Sequence, residues 1–399
     1  MSLDLSKIVS QVSGMIARLK AGSRERQERL QHTVDTLHTQ SGDLERLRRK
    51  IAESKTTWLV AGLVDGLDRR YKAQAPPSEF TVIATDGSHI DVDRHRTTRC
   101  FLINIGSVVL NYGANPSAAL DSLPHLYAED EELVIAPAGI KGREQPIEGT
   151  LLGIKRSVDE CHRLADLASE LPPNSSALAL LDGSLILWGV EGYPEFVAER
   201  LLDRGFLVYL EDMRKLGKDR KLALASYISY PRSTDVVNVL RVALCPHEIL
   251  DTDRHCLSCE TRECDAVVGI RDRELFASLL EPGERSALFV SQSSVVRKRY
   301  GRHQIHFFYT RVGDEIARVE VPLWVANDES LLSLAHALVL DQCRRGQEYP
   351  VALSEAHEKA VITGADRENF WQLVDTYLAE ERLPTIGSAK SQSKRTRWV

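Results

Sequence analysis

The chain has 399 residues, with 51 basic and 57 acidic side chains and a formal net charge of −6. At roughly 150 residues per domain, this length predicts two or three domains. Hydrophobic residues make up 43% and charged residues 27%, which excludes a wholly disordered chain. The negative charge argues against a protein that coats nucleic acid by bulk attraction, although a nucleic-acid enzyme with bound cations at its site stays compatible with it.

The sequence lacks the signals of membrane insertion and secretion. No apolar run approaches the length of about 20 residues that spans a bilayer, and the N-terminus has no basic segment followed by an apolar one. Seven cysteines are an odd number, and Cys100, Cys161 and Cys343 lie in apolar segments. We therefore expect a reduced, cytoplasmic protein without a membrane partner.

Residues 1–74 are predicted to form an N-terminal helical arm. Apolar residues recur there at three- and four-residue spacing, and the second half approaches a heptad pattern. The pattern favours either an amphipathic helix packed on its own domain or a coiled-coil-like arm for dimerisation or partner docking. The positions that carry it are Leu5, Ile8, Val12, Met15, Ile16, Leu19, Leu30, Val34, Leu37, Leu44, Leu47 and Ile51.

Residues 75–386 are predicted to form an α/β domain, with a mixed sheet flanked by helices, and a basic disordered tail follows at 387–399. The patterns that predict strands, helices and loops occur in a clear chain order. We expect strands at Phe80–Thr85, Cys100–Gly106 and Val108–Tyr112, a loop at 113–146, a helix at 147–171, a strand at Ala177–Leu181, a helix at 194–204, strands at 206–210 and Lys221–Ser229, a hairpin at Ile305–Val325, and helices at Leu331–Arg345, Leu353–Thr363 and Asp366–Ala379.

Two Asp-Gly-Ser triplets each follow an apolar strand, at Asp86–Ser88 and Asp182–Ser184. An acid at the carboxyl end of a buried strand lies where sheets collect ligands, and the adjacent glycine permits a close approach to the backbone. Each triplet alone is also an ordinary turn sequence. If the two strands are neighbours, the carboxylates repel each other unless a cation lies between them, and Mg²⁺ or Mn²⁺ suits oxygen ligands.

Two further side chains are candidates for the same site. Glu160 shares a helical stripe with Leu164, Leu167 and Leu171, so it is expected to face the sheet, whereas the adjacent Asp159 falls on the polar face. His357 lies on an apolar helical face, where a packed core histidine is the alternative explanation. His336 has a similar setting and competes with it.

The predicted order of three strands, a helix and a further strand, with acids after the first and fourth strands, is the ribonuclease H-like plan. Enzymes of this plan cut phosphodiesters with two metal ions, one activating water and one stabilising the leaving oxygen.

The two triplets, Glu160, and Tyr349-Pro350 followed by Ala356-His357 together resemble the NurA nuclease family over residues 80–370. The resemblance implies a manganese-dependent DNA nuclease with one or two ions per site, held by Asp86, Glu160, Asp182 and His357. It implies a homodimer beneath a hexameric HerA-type ATPase. It further implies 5′-to-3′ exonuclease and single-strand endonuclease activity in double-strand break end resection. Asp91 and Asp93 are nearby acids that the family pattern does not require.

A cysteine cluster at 245–264 departs from the family pattern. Cys245, Cys256, Cys259 and Cys264 have the spacing C-x10-C-x2-C-x4-C, with His247 and His255 close by. The cluster could bind structural zinc or an iron–sulfur cluster, or it could consist of reduced thiols.

Two further readings stay open from the sequence. The basic run at 297–303, which precedes an aromatic strand, could hold DNA or could be a solvated loop. A non-catalytic dimeric adaptor that guides DNA for a ring ATPase is the alternative function, although an adaptor has no reason to gather repelling carboxylates.

Overall fold

The computed structural model describes residues 4–383, apart from 94, 95, 97, 138, 140 and 141. The predicted basic tail at 387–399 lies outside the described residues. The strands are β1 Gly62–Leu63, β2 Arg70–Lys72, β3 Phe80–Ile90, β4 Phe101–Tyr112, β5 Ser117–Tyr127, β6 Val134–Ile135, β7 Gln145–Pro146, β8 Ser176–Asp182, β9 Lys221–Ile228, β10 Glu284–Ser286, β11 Phe289–Val290, β12 Ile305–Val312 and β13 Glu315–Pro322.

The helices confirm the predicted positions at 147–171 and in the C-terminal region, with small shifts at their ends. They are α1 Val9–Gln40, α2 Leu44–Glu53, α3 Thr150–Glu170, α4 Glu195–Ala198, α5 Leu207–Leu216, α6 Asp235–Leu244, α7 Thr252–His255, α8 Asp272–Ala277, α9 Leu323–Ala326, α10 Glu329–Arg345, α11 Val351–Ala360 and α12 Gly364–Glu380. A π-helical segment, Glu199–Phe206, joins α4 to α5.

The chain forms two compact units, each assembled from separate segments. The first unit comprises Met1–Lys72, Ser229–Ser293 and His306–Val319, and the second comprises Ala73–Ile228, Ser294–Ile305 and Glu320–Val399. The first segment ends close to the predicted boundary at residue 74. However, its unit also includes later segments that the sequence had assigned to the second domain.

The two halves of α1 differ in their packing within the first unit. Leu37 is fully buried in the core of this unit, and Leu30 and Val34 pack against it together with residues of α2. Leu5, Val12, Met15, Ile16 and Leu19 are instead exposed. Packing on the helix's own unit therefore explains the second half of the apolar pattern and leaves the first half unexplained.

The second unit is built on a mixed sheet in which β3 is central. The strand order is β5-β4-β3-β8-β9, with β3, β8 and β9 parallel and β4 antiparallel to both of its neighbours. The interiors of β8 and β9 are continuously buried, as expected for parallel strands that are covered on both faces.

Helices α3 and α11 cover opposite faces of this sheet. Successive side chains of a strand point to opposite sides, and side chains of β3 that point to different sides contact the two helices. On one face, Thr85 donates a hydrogen bond to the backbone carbonyl of Glu160 in α3. On the other face, Ser88 and Asn104 donate hydrogen bonds to the backbone carbonyl of Ala360 at the end of α11. These contacts fix both helices against the middle of β3 and β4.

Gly106 lets α11 lie close to the sheet. A Cβ atom at this position would stand 2.1 Å from the Ala356 carbonyl oxygen and 2.5 Å from the Ala360 nitrogen. The two strands predicted at Cys100–Gly106 and Val108–Tyr112, with a tight junction at Gly106-Ser107, are one strand, so the predicted junction is wrong. β4 runs without interruption through both residues, and the glycine serves a close backbone approach instead of a chain reversal.

Three other predicted elements are wrong for identifiable reasons. The predicted loop at 113–146 contains β5, an edge strand that is exposed along nearly its whole length. Because neither face of β5 is buried, its sequence does not alternate between apolar and polar residues. The predicted strand at 206–210 is helical, because Phe206, Leu210 and Met213 are buried at helical spacing. The helical arm predicted over residues 1–74 ends at Glu53, and it is followed by β1 and β2, which are too short to show a period in the sequence.

No helix in the described part of the chain combines the length and the apolar character needed to cross a membrane.

We predict that Gly106→Ala lowers the free energy of unfolding by about 1–3 kcal/mol, the usual range for overpacking, because the new methyl group meets the backbone of α11. Urea unfolding monitored by circular dichroism measures the change. Gly153→Ala in α3 is the matched control, since nothing lies within 4 Å of its added Cβ and alanine favours a helix. Equal stability of the Gly106→Ala variant and the wild type would contradict this account of the packing.

Candidate active site

Asp86 and His357 form the part of the candidate site that lies on the α11 face of the sheet. Asp86 occupies the interior of β3, not its end as the sequence predicted, because β3 continues to Ile90. Its Oδ2 lies 2.7 Å from Nδ1 of His357. Most of the His357 side chain is exposed, so its second ring nitrogen, Nε2, is available to a ligand.

Asp182 is the last residue of β8, the parallel neighbour of β3. The register pairs Thr85 with Leu181, so Asp86 and Asp182 follow at the same level of the sheet. Asp182 Oδ1 accepts a hydrogen bond of 3.1 Å from the Tyr349 hydroxyl group. Tyr349 is held by the tight turn between α10 and α11, in which its backbone N–H donates to the Gly346 carbonyl.

Glu160 approaches the same place from α3, on the opposite face of the sheet. It is almost completely buried, which agrees with the expected orientation of its helical stripe. A Cβ atom on Gly87 would lie 2.6 Å from Glu160 Oε1 and 2.9 Å from Arg156 Cγ. The glycine of the first triplet therefore makes room for the Glu160–Arg156 pair, whose Nε and Oε1 atoms are 3.0 Å apart.

The carboxyl groups act on one another electrostatically. The pKa of Glu160 is raised to about 8, mainly by burial, with Arg156 opposing the rise and the neighbouring Asp86 and Asp182 contributing to it. Asp182 is exposed as a residue, but burial of its carboxyl group raises its pKa too, with the Tyr349 hydrogen bond opposing the rise and Asp86 contributing to it. These effects show that the three acids share one neighbourhood.

The competing candidates lie elsewhere. Asp159 is bound to Lys155, with 2.7 Å between Oδ2 and Nζ, and to the Tyr127 hydroxyl group. His336 is buried in α10. Asp91 accepts a hydrogen bond from the Gly149 backbone at the start of α3, and Asp93 pairs with Arg96.

The residues at this place fit a hard divalent cation by their chemistry. Three carboxylates and an imidazole are the ligands that Mn²⁺ and Mg²⁺ accept. Glu160 Oε1 is buried, and although it lies 3.0 Å from Arg156 Nε, the two atoms do not have hydrogen-bond geometry, so Oε1 accepts no hydrogen bond from the described residues. Within the described residues, no group of three or more His, Cys, Asp or Glu side chains already has the spacing of a metal site. Binding an ion would thus require rearrangement of these side chains.

Sequence reasoning gave no role to two residues of the site. Tyr349 is the hydrogen-bond donor to Asp182, and Arg156 is the ion-pair partner of Glu160. Arg156 could have been found from its i, i+4 spacing to Glu160, because such residues are neighbours on a helix. No sequence signal placed Tyr349 beside Asp182, which lies 167 residues away along the chain.

The basic run at 297–303 is engaged with acids of its own unit. Lys298 pairs with Glu191, Arg299 with Asp203 and Glu195, and both Arg302 and His303 with Glu211. These pairs favour a structural role for the run over the phosphate-binding one.

Comparison with known families agrees with the geometry. The family model of the NurA domain matches residues 80–362, more than half of the chain. This range contains all four candidate residues and Tyr349. A search of curated proteins finds no match.

We predict that Glu160→Gln changes the pH dependence of stability in metal-free buffer. The pKa of Glu160 rises from 4.5 to about 8 on folding, so the folded state holds the extra proton between these values and wild-type stability falls as the pH rises through them. The variant lacks this loss. Its stability relative to the wild type should therefore increase by at least about 1 kcal/mol between pH 5 and pH 8.5.

Urea unfolding at the two pH values in EDTA measures this difference. Asp159→Asn is the control at the adjacent position, and it should be less stable than the wild type because it breaks the ion pair with Lys155. Parallel pH profiles for Glu160→Gln and the wild type would show that Glu160 does not carry the raised pKa.

Proposed function

The chain belongs to the NurA family, a family of nucleases, and we propose that it is a manganese- or magnesium-dependent deoxyribonuclease. One observation carries the proposal. Asp86 and Asp182 stand at the same level of neighbouring strands, with His357 bound to Asp86, and Glu160 reaches this level from α3 through the space left by Gly87. Glu160 is buried beside two further acids, and such an arrangement destabilises the fold unless it serves a ligand.

The sheet supports assignment to the ribonuclease H-like class. Three antiparallel strands in chain order, β3, β4 and β5, are followed by α3 and then by β8 and β9 on the other side of β3. The acids lie on β3 and β8, the two central parallel strands, where that class carries its cation-binding acids. The proposed reaction is hydrolysis of a phosphodiester bond.

The proposed roles follow from the contacts. A bound divalent cation would supply Lewis-acid activation of water and stabilisation of the leaving oxygen. Asp86, Glu160, Asp182 and His357 would hold one or two such ions. The Tyr349 hydroxyl group orients Asp182, and Arg156 balances the charge of Glu160. Because Nδ1 of His357 is engaged with Asp86, Nε2 is the nitrogen that can bind a ligand or exchange a proton.

The finer aspects of the proposal rest on the family. We propose that the protein acts in double-strand break end resection, as a 5′-to-3′ exonuclease and single-strand endonuclease, together with a HerA-type hexameric ATPase. A homodimer is proposed as well, and the exposed apolar residues of α1 between Val9 and Leu19 offer a surface that a second copy could cover. The cytoplasmic location is a further proposal, based on the odd number of cysteines.

The alternative is a non-catalytic adaptor that guides DNA. It is disfavoured because an adaptor gains nothing from Glu160, a buried acid whose charged form is destabilised. A nuclease assay with Mn²⁺ and with EDTA separates the two functions. Cleavage that EDTA abolishes supports the nuclease, and binding of DNA without cleavage in either condition supports the adaptor.

We predict that Asp86→Asn and Asp182→Asn each reduce DNA cleavage by more than about 100-fold, the lower range for loss of a group that stabilises charge in the transition state. Cleavage of labelled single- and double-stranded DNA in Mn²⁺ measures the loss. Unfolding curves and DNA binding in EDTA should stay close to those of the wild type. Asp159→Asn is the control and should retain cleavage, so near wild-type cleavage by the Asp86 or Asp182 variant would refute the assignment.

We predict that Tyr349→Phe lowers cleavage by about 10–100-fold, the usual cost of losing a residue that orients a ligand. The variant keeps the aromatic ring, which packs edge-on against Tyr227, but leaves Asp182 without this hydrogen bond. The Mn²⁺ concentration that gives half-maximal cleavage should rise in the variant. A lower rate at an unchanged Mn²⁺ requirement would instead show that Tyr349 acts on the DNA.

A further inference from the structure

The four cysteines at 245–264 all lie in the first unit and come from three neighbouring pieces of backbone. Cys245 follows the last residue of α6, and Cys256 follows α7. Cys264 lies in a 3₁₀ turn, Glu263–Val267, that packs against α6. Cys245 is buried in the core of this unit, and Cys256 packs against the same core. All four thiols are free of disulfide bonds.

The thiols interact with one another. Burial raises the pKa of Cys256 most, and neighbouring Cys245 and Cys259 raise it further. The pKa of Cys264 is likewise raised by burial first, with smaller contributions from Cys245 and Cys256. Cys245 and Cys256 share one core, and the turn that holds Cys264 packs against α6, so the segments that carry these thiols are neighbours. Thiolates gathered there would repel one another, a conflict that a bound cation removes.

Polar groups near Cys259 favour its thiolate form. The backbone N–H of Arg262 lowers the pKa of Cys259 most, and the Thr261 hydroxyl group, 3.7 Å from the sulfur, and the Thr261 backbone N–H lower it further. Arg262 adopts a left-handed backbone conformation, with φ of 43°, which turns the chain back toward the sulfur. Backbone N–H groups directed at a thiolate stabilise its negative charge.

The nearby histidines are weaker candidates than the sulfurs. Nδ1 of His255 accepts a hydrogen bond of 3.3 Å from the Asp251 backbone, and its ring stacks on His247 with 4.1 Å between centroids. This leaves a set of four sulfurs, and a set of soft thiolates selects Zn²⁺ over the hard cations proposed for the carboxylates.

We propose that Cys245, Cys256, Cys259 and Cys264 bind one structural Zn²⁺ ion in a closed site with four thiolate ligands. None of the described cysteines stands in a group that already has metal-site spacing. Zinc binding would therefore draw the segment 256–264 onto the end of α6. α1 contacts the same region, because Arg29 donates hydrogen bonds to the carbonyls of Asp265 and Val268. The ion thus stabilises the site where α1 docks within its unit.

Metal analysis of the full chain tests the proposal. The protein is purified with reductant and loaded with Zn²⁺, and zinc is counted by mass spectrometry after removal of loosely bound metal. We expect one zinc per wild-type chain, loss of zinc in Cys259→Ser and Cys264→Ser, and retention in Cys100→Ala, a cysteine of the second unit. Asp86→Asn should also retain zinc, so the outcome is independent of the proposed nuclease site.

Two measurements on the wild-type chain test the proposal even if the cysteine variants fail to fold. Co²⁺ loading should give the visible bands and the sulfur-to-metal charge-transfer absorption of a tetrahedral thiolate site. Zn²⁺ should protect these four cysteines, and not Cys100, from alkylation in peptide maps. A chain that binds no Zn²⁺ under these conditions overturns the proposal. Iron and acid-labile sulfide in the purified chain would overturn it too, because they would show that the cysteines bind an iron–sulfur cluster.

Discussion

The second unit is organised around the place where Glu160 of α3 meets β3 across Gly87. The absence of a side chain at residue 87 allows Glu160 and Arg156 to reach the level of Asp86, and β8 brings Asp182 to the same level. The burial of Glu160 beside the other acids destabilises its charged form and raises its pKa. The same burial brings its carboxyl group close to the other candidate ligands, so an electrostatic cost to the fold accompanies the assembly of the site.

A second close approach, at Gly106, has the same effect on the other face. Because Gly106 pairs with Asp86 in the sheet, the helix that rests on it carries His357 directly over Asp86. Buried Gln342 supports this placement, since it binds the Tyr112 hydroxyl group and the Ala352 backbone at the start of α11. Two glycines on adjacent strands thus set the distances of the site from both faces. Their role is to let helices approach, not to provide flexible turns.

The sequence predicted what depends on local periodicity. It predicted α3, the buried strand β8 and the sheet-facing side of Glu160, because an apolar stripe or run specifies which face is buried. It failed where the decisive partner is distant in the chain. β5 is an exposed edge strand that pairs with β4, and Gly106 has the sequence appearance of a turn. The Tyr349–Asp182 contact likewise depends on the turn after α10, which no local pattern reports.

The two groups of potential ligands in this chain differ in chemical hardness, and they lie in different units. The second unit gathers oxygen ligands that repel one another, and a cation that exchanges during catalysis suits such a site. The first unit gathers sulfur ligands around the end of α6, where a tightly held cation would serve stability. Thiolates select Zn²⁺, so the cysteines would take up Zn²⁺ first. Excess Zn²⁺ would then compete with Mn²⁺ at the carboxylate and imidazole ligands, because such ligands also bind Zn²⁺ more tightly than Mn²⁺.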